Sequence, residues 1–419
     1  FQLTYNAADS VIVGKYVGEQ ALAAVGTSTP IMNIAILLIS GMCMGASVLM
    51  SSQYGAKDYD TLSRQISTTM LAGCGFSVVF SLLMLLLANP VLRLIRVPET
   101  AIPEAAAYLR IIFMGLIFTF MYNFLANTMR ALGDSKTPLY FLVTSAFLNI
   151  FGDLFFVVVL RWGVAGSAIA TVCSEGLCCL LCGIYIKKKI PLLCLGKKWW
   201  VFDKSLLGKT VSYGSTSAMQ QVCLQLGKLI IQSVVNTQGV AVMAAFTAVN
   251  RVDDFANTPQ QNIGHAMTTF LAQNKGAGHK ERMKKGFQTG LLIELVYSIG
   301  LFCVIWGLAP QIMTLFAEDG DAQVVSLGIS YLQLISWMYI LPGLTNGVQG
   351  FFRGIGDLKV TLYSTFMNMF GRVVAVFVMI RLLQMEFASL AWANMVGWIV
   401  MLLFEVPLLV KSMRNGECG

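Results

Sequence analysis

Seven carboxylates stand inside apolar stretches of this chain: Asp9, Asp153, Glu175, Asp253, Asp254, Glu294 and Glu405. An ionisable group near the middle of a hydrocarbon layer costs about 2.5–3.5 kcal/mol on insertion scales, so it faces a cavity or a partner. Asp9 and Asp153 are set apart by their company. Tyr5 precedes Asp9 by four residues and Asn149 precedes Asp153 by four, which puts each pair on one helix face. Thr171 and Asn123, from two other helices, offer further oxygens to one polar pocket. Two carboxylates with neutral oxygen donors suit a hard monovalent cation such as Na+. Two close carboxylates also tend to share one proton, so proton and sodium compete for the same place. Glu175, one turn beyond Thr171, either joins that network or is simply buried near its helix end.

The other candidates leave two readings each. Asp253 and Asp254 either pair locally with Arg251 or line a cavity of their own, with Gln225, Gln260 and Arg372 as its further polar members. Gln220, Gln221, Gln225, Gln260 and Gln261 are costly in lipid and are expected to turn towards a central cleft. Glu294 and Glu405 read as helix-packing or interfacial. Catalysis leaves little trace. There are two histidines, with no HExxH, nucleophile elbow or phosphate-cradling loop, so an enzyme is not expected. No cofactor is expected either. The ten cysteines lie mostly in apolar runs and read as reduced, helix-packing thiols.

The elements that must position these residues follow from composition. Of the 419 residues 56% are hydrophobic and only 12% charged, about half the charge of a soluble domain. Apolar runs lie near 30–53, 65–90, 106–129, 138–160 and 164–186, then near 211–235, 241–271, 288–315, 327–350, 360–381 and 387–410. Each is long enough to cross a bilayer core of roughly 30 Å. Phe1 to Val13 is too short to span alone and is expected to be the second half of a truncated first helix. The fold class is therefore an all-α polytopic membrane protein with twelve transmembrane helices in two six-helix bundles. The expected lobes are 1–190 and 210–419, joined by a basic linker at 191–209. Lys and Arg concentrate in the loops after even-numbered spans, which puts both termini in the cytoplasm and Glu318–Asp321 outside. The net charge of +8 thus reads as topology, with membrane lipid rather than nucleic acid as the surroundings.

The halves repeat. Tyr108-Leu109 and Arg130-Ala-Leu-Gly-Asp134-Ser-Lys136 recur as Tyr331-Leu332 and Arg353-Gly-Ile-Gly-Asp357-Leu-Lys359, at a constant offset of 223. Six spans per repeat make the two copies parallel, about an axis along the membrane normal. At that offset Asn149 matches Arg372, Asp153 matches Val376 and Thr171 matches Asn394. The acidic pocket therefore belongs to the first lobe alone. Gly133-Asp134 and Gly356-Asp357 read as tight turns between paired helices.

The chain resembles the multidrug and toxic compound extrusion (MATE) family, in its prokaryotic DinF-like branch. The residues that carry the resemblance begin with Tyr5-Asn6-Ala-Ala-Asp9 and Ala21-Leu-Ala-Ala-Val-Gly26. They continue with Arg130-Ala-Leu-Gly-Asp134, Leu148-Asn149-Ile-Phe-Gly-Asp153 and Gly163-Val-Ala-Gly-Ser-Ala-Ile-Ala-Thr171. Gln273-Asn274-x-Gly276-Ala277 and Arg353-Gly-x-Gly-Asp357 carry it in the second half. The resemblance implies a monomeric antiporter of bacterial or archaeal plasma membrane, expelling small organic, often cationic, compounds in exchange for Na+ or H+. It places the family's cation site on Asp9, Asn149, Asp153 and Thr171, with Tyr5 and Asn123 in the same network. Glu175 departs from the family pattern and alters the site's charge. A lipid-linked oligosaccharide flippase of the same superfamily is the alternative, for which Lys228, Arg251 and Arg372 would supply the cationic cavity.

Overall fold

The computed structural model describes residues 12–94, 97, 99, 101–190, 200–316, 322–383, 387 and 389–414. Tyr5, Asp9, residues 191–199 of the basic stretch and the acidic loop at 317–321 lie outside the described residues. Every regular element among the described residues is helical. That follows from the medium: without water, each backbone N–H and C=O must find a partner inside its own segment. The first half contains α1 (Glu19–Gly55), α2 (Tyr59–Leu94), α3 (Ile102–Met114), α4 (Leu116–Ala131), α5 (Lys136–Asp153) and α6 (Gly163–Lys189). Then come α7 (Lys204–Val235), α8 (Val240–Gly276), α9 (Lys280–Phe316), α10 (Ala322–Ser336), α11 (Ile340–Ile355), α12 (Leu358–Phe377) and α13 (Ser389–Arg414).

Eight of the described helical stretches are long and apolar enough to cross a membrane, and α3 with α4, bent by 45° at Gly115, makes a ninth. Helices α7 and α8 are as long, at 32 and 37 residues, but more polar. Their glutamines, Lys228, Arg251, Asp253 and Asp254 lower their hydropathy. The chain divides into two compact units, Phe1–Tyr54 with Asp58–Ala218, and Gly55–Lys57 with Met219–Gly419. The division falls inside α7.

Each unit carries the same irregularities at matching places. The bend at Gly115 has its counterpart in the 3-10 turn Trp337–Tyr339 that separates α10 from α11. Helix α5 runs into a π-helical turn, Leu154–Val159, and α12 into another, Val378–Leu382. The Gly-Asp turns match too. Gly133 and Gly356 adopt φ of 93° and 86°, a left-handed conformation open to glycine at little cost. The following Asp134 and Asp357 N–H groups donate to Met129 O at 3.0 Å and Phe352 O at 2.9 Å, closing Schellman-type helix ends. Asp134 Oδ1 then accepts from the Thr137 N–H at 3.0 Å and starts the next helix.

In the second unit, α8 and α11 cross with glycines between them. A Cβ on Gly350 would stand 2.7 Å from Gly264 O, and one on Gly354 would stand 2.6 Å from Leu271 Cβ. Small residues let the helices approach closely where lipid supplies no hydrophobic drive. A backbone oxygen cannot step aside as a side chain can. We therefore expect Gly350→Ala to destabilise the unit by about 1–3 kcal/mol, the usual range for overpacking. Gly300→Ala, whose Cβ would meet nothing within 4 Å, is the control and should leave thermal unfolding in detergent unchanged.

Candidate functional site

The first-unit site is built where α5 meets α6. A Cβ on Gly152 would stand 3.0 Å from Ala170 Cβ, and one on Gly166 would stand 3.1 Å from the Phe156 carbonyl. Both positions leave little room for a side chain, so the backbones approach closely there. Across this contact Asn149 Nδ2 donates to Thr171 Oγ1 at 3.1 Å. The Thr171 hydroxyl in turn donates to Ser167 O at 3.2 Å. Asn149 Oδ1 and Ser167 Oγ are buried without a hydrogen-bond donor. Asp153 is fully buried one turn further along the Asn149 face, at the last residue of α5. The π-helical turn begins at the next residue, and such turns concentrate at functional sites.

The structure thus brings Asn149 and Thr171 into contact and puts Asp153 on the same face. The assembled atoms are oxygen acceptors and a carboxylate, a donor set for a hard cation. Asp9 and Tyr5 lie outside the described residues. Asn123 is engaged differently. Its Nδ2 donates to Thr119 O at 2.9 Å, back along its own helix. Thr119 Oγ1 donates to Glu175 Oε2 at 2.5 Å, so Glu175 is tied to α4 through Thr119. Thr119 and Ser167 are members that sequence reasoning missed. Thr119 precedes Asn123 by four residues, and Ser167 stands in the same relation to Thr171, so the signal was present.

The second unit holds a different cluster. Asp254 pairs with Lys228 at 3.1 Å and not with Arg251, and both partners are about half exposed. Asp253 points inward and accepts a hydrogen bond from Tyr339 Oη. Arg372 faces Asp253 and Tyr331. Asn394 Nδ2 donates to Tyr331 Oη at 2.7 Å. Where the first unit has Asn149 and Thr171, the second therefore has a guanidinium and an amide. Gln225 is half-buried on α7. Gln220 and Gln260 depart from the cleft expectation, for both are buried inside this unit. Gln220 Nε2 donates to Gln349 Oε1 and Thr365 Oγ1, at 3.1 and 3.0 Å. Glu294 and Glu405 are buried as well, at 1% and 0% exposure, which removes an interfacial role. Glu405 faces the Arg353 guanidinium.

Thr171→Val would remove the acceptor of a nearly buried amide. Leaving Asn149 Nδ2 unpaired should cost about 1–3 kcal/mol and lower the unfolding temperature in detergent. Thr171→Ser keeps the oxygen and should restore most of the loss; equal losses in both variants would show that the hydroxyl contributes nothing.

Comparison with known proteins gives a consistent result. The MatE family model matches the chain over residues 1–155 and 217–378. The probable multidrug resistance protein YpnP of Bacillus subtilis is 31% identical over 364 residues, 86% of this chain and 80% of that protein. The probable multidrug resistance protein NorM of Thermotoga maritima is 23% identical over 409 residues, 95% and 86% of the two chains. Among solved structures, a MOP superfamily transporter from Pyrococcus furiosus superposes with a TM-score of 0.90 at 21% identity, covering 99% of this chain and 93% of that one. A MATE protein in complex with MaL6 gives 0.92 at 21% identity, with the same coverage.

Proposed function

Because this chain belongs to the MatE family, we propose that it is a secondary active exporter of small organic, often cationic, compounds, driven by exchange for Na+ or H+. It is a transporter and not an enzyme. The observation that carries the reading is the buried Asn149–Thr171 contact with Asp153 on the same face at a π-helical turn. In the cycle, the outward-open protein loads its ion at Asp153 and Asp9 and releases the exported compound. The loaded protein then turns inward, where it gives up the ion and takes new cargo. The ion can drive this only if it binds one conformation better than the other, since equal affinities shift no equilibrium.

The names of YpnP and NorM support the substrate class. The lysine and arginine bias supports a plasma-membrane protein with both termini in the cytoplasm. The second unit gives little support to a pyrophosphate-binding flippase. Lys228 is ion-paired with Asp254 and Arg372 lies within electrostatic reach of Asp253, so carboxylates offset two of the three cations that an anionic headgroup would need.

The test is efflux of a fluorescent lipophilic cation from proteoliposomes under a Na+ gradient or a pH gradient, imposed separately. One gradient should drive efflux, and Asp153→Asn should reduce it at least tenfold, equivalent to about 1.4 kcal/mol of lost coupling. Unchanged efflux in Asp153→Asn would remove that residue from the mechanism. Failure of both gradients across varied substrates would overturn the exporter.

A further inference from the structure

Glu294 has no evident reason to be where it is. It lies on α9 at 1% exposure, and neither carboxylate oxygen has a hydrogen-bond partner. Around it, three elements contribute oxygens. Gln260 from α8 is fully buried, Ser298 stands one turn along α9, and Tyr339 O comes from the 3-10 turn before α11. Gly343 opens the space between them. A Cβ there would stand 2.8 Å from Ser298 Oγ, 3.2 Å from Gln260 Nε2 and 3.4 Å from Glu294 Oε2.

The hydrogen bonds of this cluster can be counted in full. Gln260 Nε2 donates to Ser298 Oγ at 3.0 Å and to Tyr339 O at 2.9 Å, which uses both its hydrogens. The single Ser298 hydroxyl hydrogen goes to Glu294 O at 2.7 Å, with Tyr339 O also in range at 3.2 Å. Every donor is spent. Three acceptors remain: Glu294 Oε1, Glu294 Oε2 and Gln260 Oε1. Buried acceptors left over in this way call for something that brings positive charge or a hydrogen. A water could donate to two of them but would leave the carboxylate charge uncompensated, at a cost of several kcal/mol.

No neighbouring side chain supplies that charge. Among the described residues no lysine, arginine or histidine forms an ion pair with Glu294. Tyr297 on its own helix interacts with Glu294, and Tyr339 on the turn and Asp253 on α8 interact with each other. The basic residues of α8 and α9 (Arg251, His265, Lys275, Lys280, Arg282, Lys284 and Lys285) form no ion pair with Glu294. Arg353 on α11 is bonded to Gln349 and faces Glu405, while Arg372 on α12 faces Asp253.

We propose that Glu294 is a second cation-loading carboxyl of this protein, holding a proton or Na+ against Gln260 Oε1 in the space opened by Gly343. The role rests on the exporter reading and adds to it a coupling site in the second unit, distinct from Asp153. A protonated Glu294 donates its one O–H to Gln260 Oε1. A sodium ion instead takes the Glu294 oxygens and Gln260 Oε1 as ligands, with Tyr339 O and Ser298 Oγ within the same cluster.

The test reads binding and does not depend on transport. Infrared difference spectra between acid and neutral pH are recorded on the purified full chain. A protonated-carboxyl C=O band present in wild type and in Asp153→Asn should vanish in Glu294→Gln, whose amide can donate to Gln260 Oε1 and so preserve the fold. Identical spectra with and without Glu294 overturn the proposal. Should the variant not fold, wild type alone decides by dicyclohexylcarbodiimide labelling and peptide mapping. Labelling of Glu294 should fall about tenfold per pH unit above its titration midpoint. An unlabelled Glu294 at every pH overturns the site. Slowing by Na+ at fixed pH assigns sodium as the ligand, and insensitivity to Na+ assigns the proton. Efflux in a wild type whose Glu294 never titrates would sink this site and keep the exporter; a titrating Glu294 without efflux in either gradient would do the reverse.

Discussion

Everything in this molecule bends to the cost of polar groups in a medium without water. Backbone polar groups meet that cost by helix formation, which is why every described element is helical. Side chains have no such general solution and must be solved one at a time. Thr128, Thr210 and Thr268 return their hydroxyls to the carbonyl four residues earlier. Asn149 crosses to Thr171, and Gln220 crosses to Gln349 and Thr365. Once such pairings are subtracted, the few groups still lacking a donor or a counter-charge become informative. Asn149 Oδ1 beside Thr171 and the Glu294–Gln260 oxygens are left over for this reason.

The internal repeat separates architecture from chemistry. Features that shape the bundle occur twice: the broken fourth and tenth spans, the π-helical turns, and the glycine turns at 133 and 356. Features that handle charge occur once. Asn149 and Thr171 have Arg372 and Asn394 as their counterparts, and Asp153 has Val376. A guanidinium facing Asp253 in the second unit is a positive charge that cannot leave, because arginine stays protonated. In the proposed first-unit site, Asn149 Oδ1 is left without a donor beside Thr171, an acceptor for a cation that exchanges. The frame is shared by both halves, and charged positions such as Asp153 and Arg372 differ within it.

The fold was legible because its signal is spread over hundreds of residues. Long apolar runs, the 223-residue offset and the glycine-aspartate turns each survive an error of several positions. The first-unit contact was partly legible for a related reason: Asn149 and Asp153 sit one turn apart on one helix face, and Thr171 was expected to offer its oxygen from another helix. What the sequence hid was the partner across helices. Asn123 offered an amide, but nothing in its spacing says that the amide turns back to Thr119 O. Asp254 has Arg251 close in sequence yet pairs with Lys228 on another helix. Glu294 looked like packing because its helix is otherwise apolar, and Gln260 lies thirty-four positions away in sequence. Only the crossing of α8, α9 and α11 at Gly343 puts the two together.

In the proposed exporter the ion sites must feel the conformational change, and each proposed carboxyl lies near an irregular turn, Asp153 at the end of its own helix and Glu294 beside a turn between two neighbouring ones. Asp153 ends a regular helix at a π-helical turn, and the Glu294 cluster includes the carbonyl of a 3-10 turn. Irregular turns have poorer hydrogen-bond geometry than the helix around them, so they are inexpensive places to bend. A proton or ion that binds the Tyr339 carbonyl, or the carboxyl at the end of α5, changes the partners of the backbone that must move. Differential affinity then needs no long pathway. Shifting a two-state equilibrium from 1:99 to 99:1 takes about 5.5 kcal/mol of preference. One buried carboxyl, satisfied in one conformation and orphaned in the other, supplies several kcal/mol of that. In the proposed cycle, two carboxyls in separate units, each near an irregular turn, would bring the requirement within reach without any single group being buried at a prohibitive cost.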